Sequence, residues 1–259
     1  MSEFPMMMPG GHLIIRDGDQ SLLVNTGCPV SMGTRPTLMF LDREIAVLQR
    51  YQGLTVAQWS EIIGLNIDGV LGSDVLGRHA AIIDPERRRV VFDEKLPPGS
   101  QAQAVPVSTV AGLPVLALGL AGARVQLLLH TGATLSCLRD SDTKDYPCVA
   151  VVRDCYPGIG EFTTELRQVP LLFGGQRMNL DCGLMPAPLE QALRAVQVAG
   201  VVGANLLEQF AVAWGPHFQE LSIVERRDAA RPIHPAPYAM PRPHYGTSPT
   251  SPANLLRSL

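Results

Sequence analysis

The sequence predicts a strand-rich chain built as two repeated halves, on three observations. Leu22-Leu23-Val24-Asn25-Thr26-Gly27-Cys28-Pro29-Val30-Ser31 is answered by Leu127-Leu128-Leu129-His130-Thr131-Gly132-Ala133-Thr134-Leu135-Ser136. Gly69-Val70-Leu71-Gly72-Ser73-Asp74-Val75-Leu76 is answered by Gly200-Val201-Val202-Gly203-Ala204-Asn205-Leu206-Leu207. A hairpin pattern follows each of these second segments. An apolar run that ends in polar-Thr-Gly is a buried strand that stops abruptly and presents one polar side chain. Two such presentations in one chain suggest two half-sites that meet at an interface.

Each element follows from a local pattern. In the first half, His12 to Arg16 and Ser21 to Val24 read as strands joined by the turn Asp17-Gly18-Asp19. Pro36 to Val47 reads as a second hairpin, turning near Leu41-Asp42-Arg43-Glu44. Thr55 followed by apolar residues at helical spacing to Ile63 predicts a short capped helix. Gly69 to Leu76 is a buried strand feeding a short helix. Ala80 to Asp84 and Arg89 to Asp93 then flank the turn Pro85-Glu86-Arg87-Arg88. Lys95 to Gln103 has a linker composition.

The second half repeats this order. Val115 to Leu120, a turn at Ala121-Gly122-Ala123, and Val125 to Leu129 form a hairpin ending at His130. Phe210 to Trp214 and Glu220 to Val224 match the closing hairpin. The second half is longer between its two motifs. The extra residues fall where Val151 to Thr163 reads as strand, Pro-Gly turn, strand, which suggests a lid. Leu189 to Val198 is predicted as a helix. From Asp228 onward, prolines scattered among polar residues give a disordered composition.

Composition narrows the function classes. The chain has 259 residues, with 46% hydrophobic and 17% charged, enough for a sizeable core in one large domain or two modest lobes. A net charge of -3 supplies no electrostatic case for nucleic acid or an anionic membrane surface. Five cysteines (Cys28, Cys137, Cys148, Cys155, Cys182) without a CxxC pair argue against a disulfide framework and a structural zinc site, though Cys148 and Cys155 could pair in an oxidising compartment. The first residues lack a basic region and a long apolar run, so no secretory signal is expected. No apolar run has membrane-spanning length. The expectations are a cytoplasmic monomer, no cofactor and no metal.

The duplicated set resembles the aspartic peptidases of the retropepsin and pepsin superfamily over roughly residues 13 to 226. That family carries Asp-Thr-Gly-Ser/Ala after an apolar strand, and its Ile-Leu-Gly strand is echoed by Val70-Leu71-Gly72 and Val201-Val202-Gly203. The resemblance implies an all-β, bilobal, pepsin/retropepsin-like acid-protease fold with short helices and two pseudo-twofold-related lobes. The lobes would span residues 12–98 and 104–227, with a Pro-rich disordered tail over 228–259. It implies that the Thr26 and Thr131 hydroxyls brace the two loops by crossed bonds, and that Gly27 and Gly132 permit the tight turns. It makes Tyr156, Pro157, Gly158 and Ile159 the flap over a peptide-binding cleft lined by the two Thr-Gly turns. Pepsin carries its flap in the first lobe, whereas the long hairpin here is in the second.

The presented residues depart from the family. Its chemistry requires two carboxylates that share one proton. Here Asn25 and His130 stand in those places. Asn25 cannot titrate; His130 has an ordinary pKa of about 6.5 but no carboxylate partner. The resemblance therefore implies a pseudopeptidase that binds an extended peptide or small ligand in the inter-lobe cleft. Restoring a carboxylate at Asn25 alone would leave it facing His130.

Two alternatives stand beside this reading. Cys28 could act as a nucleophile with His130 as its base. Otherwise the fold is a protein-interaction scaffold that docks partners through the Pro-rich tail. A lone His130 falls short of a metal ligand set. Asp74 and Asp84 suit turn and cap roles, and Trp59 and Trp214 suit the core.

Overall fold

The computed structural model describes residues 2–93, 102–156 and 159–226. Most of the predicted linker, Pro157 and Gly158 of the predicted flap, and the predicted tail lie outside the described residues.

The fold is all-β and bilobal, with a few short helices. The first half runs β1 (Ser2–Met7), β2 (Ile14–Asp17), β3 (Gln20–Val24), β4 (Met32–Gly33), β5 (Thr37–Phe40), β6 (Arg43–Ala46), β7 (Arg50–Tyr51) and β8 (Leu54–Thr55). It continues through α1 (Val56–Ile63), β9 (Gly69–Leu71), α2 (Ser73–Leu76), β10 (Ala81–Asp84) and β11 (Arg89–Phe92). The second half runs β12 (Gln103–Ala104), β13 (Val107–Val110), β14 (Leu113–Leu120), β15 (Ala123–Leu129), β16 (Ser136–Leu138), α3 (Asp140–Thr143), β17 (Cys148–Tyr156) and β18 (Gly160–Phe173). It closes with β19 (Gln176–Leu184), α4 (Ala187–Ala195), β20 (Gly200–Val202), β21 (Phe210–Trp214) and β22 (Leu221–Glu225).

The duplication in the sequence is a duplication of register. β3 pairs in parallel with β9, Leu22 opposite Gly69 and Val24 opposite Leu71. β15 pairs in parallel with β20 in the same way, Leu127 opposite Gly200 and Leu129 opposite Val202. All these strand residues are buried, as the unbroken apolar runs require. Each run then ends alike: Asn25 N–H donates to Leu71 O and His130 N–H to Val202 O, both at 2.9 Å.

Local chemistry accounts for the remaining elements. Thr55 and Gln58 form a capping box at the start of α1, and Gly64 closes it in the left-handed conformation. Val56, Trp59, Ile62 and Ile63 of α1 join Ile14, Leu23, Met32, Ile67 and Val70 in one apolar cluster. α4 plays the same part in the second half, its Leu189 and Leu193 packing with Leu128 and Val201. It begins two residues before the sequence suggests, because Pro188 fits a first helical turn, where a missing N–H costs nothing. The β5–β6 turn places Leu41 and Asp42 at positive φ, 54° and 58°, as a two-residue hairpin demands.

Two pairings add to the elements read from the sequence. Residues 2–7 form a strand: β1 pairs with both β11 and β2, because alternation buries Phe4 and Met6. The halves also share a ten-stranded sheet, since β10 pairs with β21, Ala81 opposite Trp214. Trp214 and Trp59 are buried in the core, and the Trp214 Nε1–H donates to Leu76 O at 3.3 Å. One large apolar cluster accordingly takes residues from both halves, Leu22 and Val24 together with Leu127 and Leu129.

The second sheet carries the long hairpin. β17 and β18 pair from Cys148–Arg167 to Tyr156–Gly160, and β18 continues onward to pair with β19. The counterpart in the first half, β5–β6, has only four residues on each side.

Candidate functional site

The two Thr-Gly turns are bolted together by four crossed hydrogen bonds. Thr26 Oγ1 donates to Leu129 O at 2.7 Å, and Thr131 Oγ1 donates to Val24 O at 2.7 Å. In return Thr131 N–H donates to Thr26 Oγ1 at 3.1 Å, and Thr26 N–H to Thr131 Oγ1 at 3.0 Å. Every partner is buried, so each bond satisfies backbone that water cannot reach.

This bolt sets the two presented residues face to face with the opposite turn. A Cβ on Gly132 would lie 2.4 Å from Asn25 Cγ, and a Cβ on Gly27 would lie 2.2 Å from His130 Cγ. The glycines are therefore required by close approach: each leaves the space that the other half's polar side chain fills. Cys28 N–H donates to Asn25 O at 3.2 Å, and Ile159 N–H donates to Tyr156 O at 2.9 Å. Tyr156 sets its ring edge-on to His130, with centroids 6.0 Å apart. Tyr156 and Ile159 pack on the α4-side cluster while Cys155 packs on the α1-side cluster, so the hairpin spans both halves.

Hydrogen bonding fixes which atoms are free. Asn25 Oδ1 accepts from Gly27 N–H at 3.0 Å, and Ala133 N–H is shared between His130 O at 3.0 Å and His130 Nδ1 at 3.1 Å. The first bond orients the amide and the second assigns the tautomer, with the ring proton on Nε2. Each turn thus consumes the acceptor of its own polar residue. Asn25 is 1% exposed, and its Nδ2 has no hydrogen-bond partner among the described residues.

Electrostatics keep the two imidazoles neutral. Burial lowers the His130 pKa to about 4, against a raise from its own backbone and with a smaller lowering from His12. Sequence reasoning missed His12. Its imidazole lies against the Gly132 backbone, is 9% exposed, and is also lowered to about 4 by burial. The Cys28 thiol donates to Val30 O at 3.1 Å, and burial pushes its pKa up to about 12. Asp154, on β17, is raised to about 6 by burial, against the pull of the Cys155 N–H and Thr134. Burial also raises Tyr156.

The outlying carboxylates have structural work. Ser31 Oγ donates to Asp74 at 2.7 Å and accepts from Gly72 N–H at 2.9 Å. In the second half Ser136 Oγ donates to Asn205 at 2.7 Å and accepts from Gly203 N–H at 2.9 Å. The two pairs buttress equivalent turns. Asp84 accepts from Arg87 N–H in its hairpin turn. All five cysteines are free thiols. Among the described residues no three His, Cys, Asp or Glu side chains converge on a metal position, and no described helix is long and apolar enough to cross a membrane.

These shifts have opposite linkage signs. The lowered imidazoles favour folding above pH 6.5, and that contribution is lost as pH falls toward 4. At about 1.4 kcal/mol per pKa unit, each loss reaches about 3 kcal/mol. The raised acids Asp154 and Glu208 favour folding at low pH, and that contribution is lost as pH rises through about 6 and about 7. The terms oppose each other between roughly pH 4 and 6.5. Asp154→Asn combined with Glu208→Gln is therefore expected to steepen the loss of Tm on acidification. Thermal unfolding across this window checks it; equal slopes for wild type and variant would refute the assignment.

No family model matches the chain, and no curated protein matches it. Solved structures do match. One is the crystal structure of the aspartic proteinase from Irpex lacteus, with a TM-score of 0.48 at 10% identity, covering 88% of this chain and 98% of that chain. Similarity at that level says nothing about residues 25 and 130, whose roles rest on the geometry of the two turns.

Proposed function

We propose that this is an aspartic-protease-like protein that binds an extended peptide beneath the β17–β18 hairpin without cleaving it. One observation carries the reading. At both places where a hydrolytic dyad needs a carboxylate, the side chain is neutral and its acceptor atom is held by its own turn's N–H. Neither residue can take a proton from an attacking water. A positioned acid or base is worth ~10²–10⁴-fold in rate, and both are replaced.

The thiol alternative fits less well. A pKa of about 12 keeps Cys28 protonated, its hydrogen is given to Val30, and the His130 lone pair is taken by Ala133. The reading needs no second subunit to complete the site, since both turns belong to one chain. Docking through the residues beyond 227 is a separate scaffold role.

Purified protein incubated with a diverse peptide library from acid to mildly basic pH tests the reading. Mass spectrometry is expected to find every peptide intact. Saturable binding should appear and weaken on Tyr156→Ala. Cleavage that disappears in Cys28→Ala would overturn the reading in favour of thiol chemistry. If neither binding nor cleavage occurs, and deleting 228–259 abolishes a partner interaction, the scaffold role replaces it.

A further inference from the structure

Strand β17 has two unlike faces. Val151 and Arg153 are exposed, while Val152, Asp154 and Tyr156 turn inward. Two neutral donors meet the inward carboxyl of Asp154. Cys155 N–H donates to its Oδ1 at 2.8 Å, and the Thr134 hydroxyl reaches it from the turn that follows His130. A Cβ on Gly11 would lie 3.2 Å from Thr134 Cβ, so the segment ahead of β2 packs on the same threonine. The next two residues of β17 tie the hairpin across the site. Cys155 packs on the α1-side cluster, and Tyr156 packs on the α4-side cluster and edge-on to His130.

Resting on the peptide-binding reading, we propose that Asp154 is a pH-sensitive latch: neutral, it seats β17 on the second turn and keeps the hairpin over the site; ionised, it frees the hairpin and admits the ligand. The titratable groups around the carboxyl give its charge nothing to pair with. They are Cys137 on β16, Cys155 and Tyr156 on β17, and Glu161 opposite Cys155 on β18. His12, beside the same turn, is neutral above about pH 4. Arg153, the adjacent cation in sequence, stands on the exposed face. A buried carboxylate without a counter-charge is costly, whereas a carboxylic acid that still accepts from Cys155 N–H is not. Burial accordingly raises Asp154 from its ordinary 3.8 to about 6. The raised value belongs to the seated hairpin, and a freed carboxyl returns to the ordinary one. Seating is therefore firmest near pH 4 and weakens as pH rises to about 6. The difference between the two values makes the limiting change roughly a hundredfold. Ligand is taken up near neutrality and retained in acid.

The test needs no ligand, because all five cysteines are free thiols. The full chain is labelled with a dipyridyl disulfide, which reacts with thiols even in acid, and each site is quantified by mass spectrometry. Cys155 reports release of the hairpin, exposed Cys148 is the reference for intrinsic reactivity, and Cys182, 0% exposed, reports global unfolding. In the wild type, the Cys155 rate relative to Cys148 should climb between about pH 4 and about pH 7 while Cys182 stays protected. Asp154→Asn keeps the acceptor for Cys155 N–H and cannot ionise. Its Cys155 should label within a few-fold of wild type at about pH 4 and roughly a hundredfold more slowly at about pH 7. A flat Cys155-to-Cys148 ratio in the wild type, or a variant that tracks the wild type, would overturn the latch whether or not peptides bind. Labelling as expected without saturable peptide binding at about pH 7 would support the latch and overturn only the peptide-binding reading.

Discussion

Replacing Gly132 or Gly27 with alanine is expected to destabilise the protein by about 3 kcal/mol or more, the upper range for overpacking a core. The added methyl would sit 2.4 Å from Asn25 Cγ or 2.2 Å from His130 Cγ. Neither side chain is a flexible end that can swing away. Asn25 is held by Gly27 N–H and His130 by Ala133 N–H. The turns cannot separate without breaking the crossed threonine bonds. Neither glycine has a positive φ, so the cost is steric rather than conformational. Gly112→Ala is the control: its φ is +80° but nothing lies within 4 Å, so only the backbone cost of about 1 kcal/mol should appear. Urea denaturation measures all three. Equal, small losses would show that the turns are not in close apposition.

Thr26→Val should cost about 4 kcal/mol. Valine fills the same volume but removes one donor and one acceptor. Leu129 O loses its 2.7 Å bond and Thr131 N–H loses its 3.1 Å bond. Each buried group left unpaired costs ~1–3 kcal/mol. Thr131→Val should cost the same, acting on Val24 O and Thr26 N–H. Thr→Ser at either position keeps the hydroxyl and should cost far less. The double valine variant should lose less than the sum, because the two hydroxyls support one joint. Equal costs for serine and valine would assign the effect to packing and contradict the crossed bonds.

What could be read from the sequence was what the backbone demands locally. The Thr-Gly turns, the capping box at Thr55 and Gln58, and the Gly69 and Gly200 strands announce themselves by residue type and spacing. The pairing of β10 with β21 could not be read, because it joins residues from opposite halves and no local pattern specifies a non-local partner. β1 was hidden by Pro5 and a methionine run, where the alternation that buries Phe4 and Met6 is short. His12 carried no signal, since its significance comes from lying against Gly132 across the interface. The choice of Asn25 and His130 was visible, but their polarity was not. Which atom of an amide or imidazole remains free depends on the N–H groups of Gly27 and Ala133, and only the folded turns bring those to bear.

The hydrogen bonds within the two turns leave Asn25 and His130 as neutral donors. Long-range ¹H–¹⁵N NMR of His130, assigned by comparison with His130→Gln and followed from about pH 8 to about pH 3, measures it directly. The predicted result is a ring proton on Nε2, an unprotonated Nδ1 that accepts a hydrogen bond, and a titration midpoint at about 4. A proton on Nδ1, or a midpoint at or above 6.5, would contradict it.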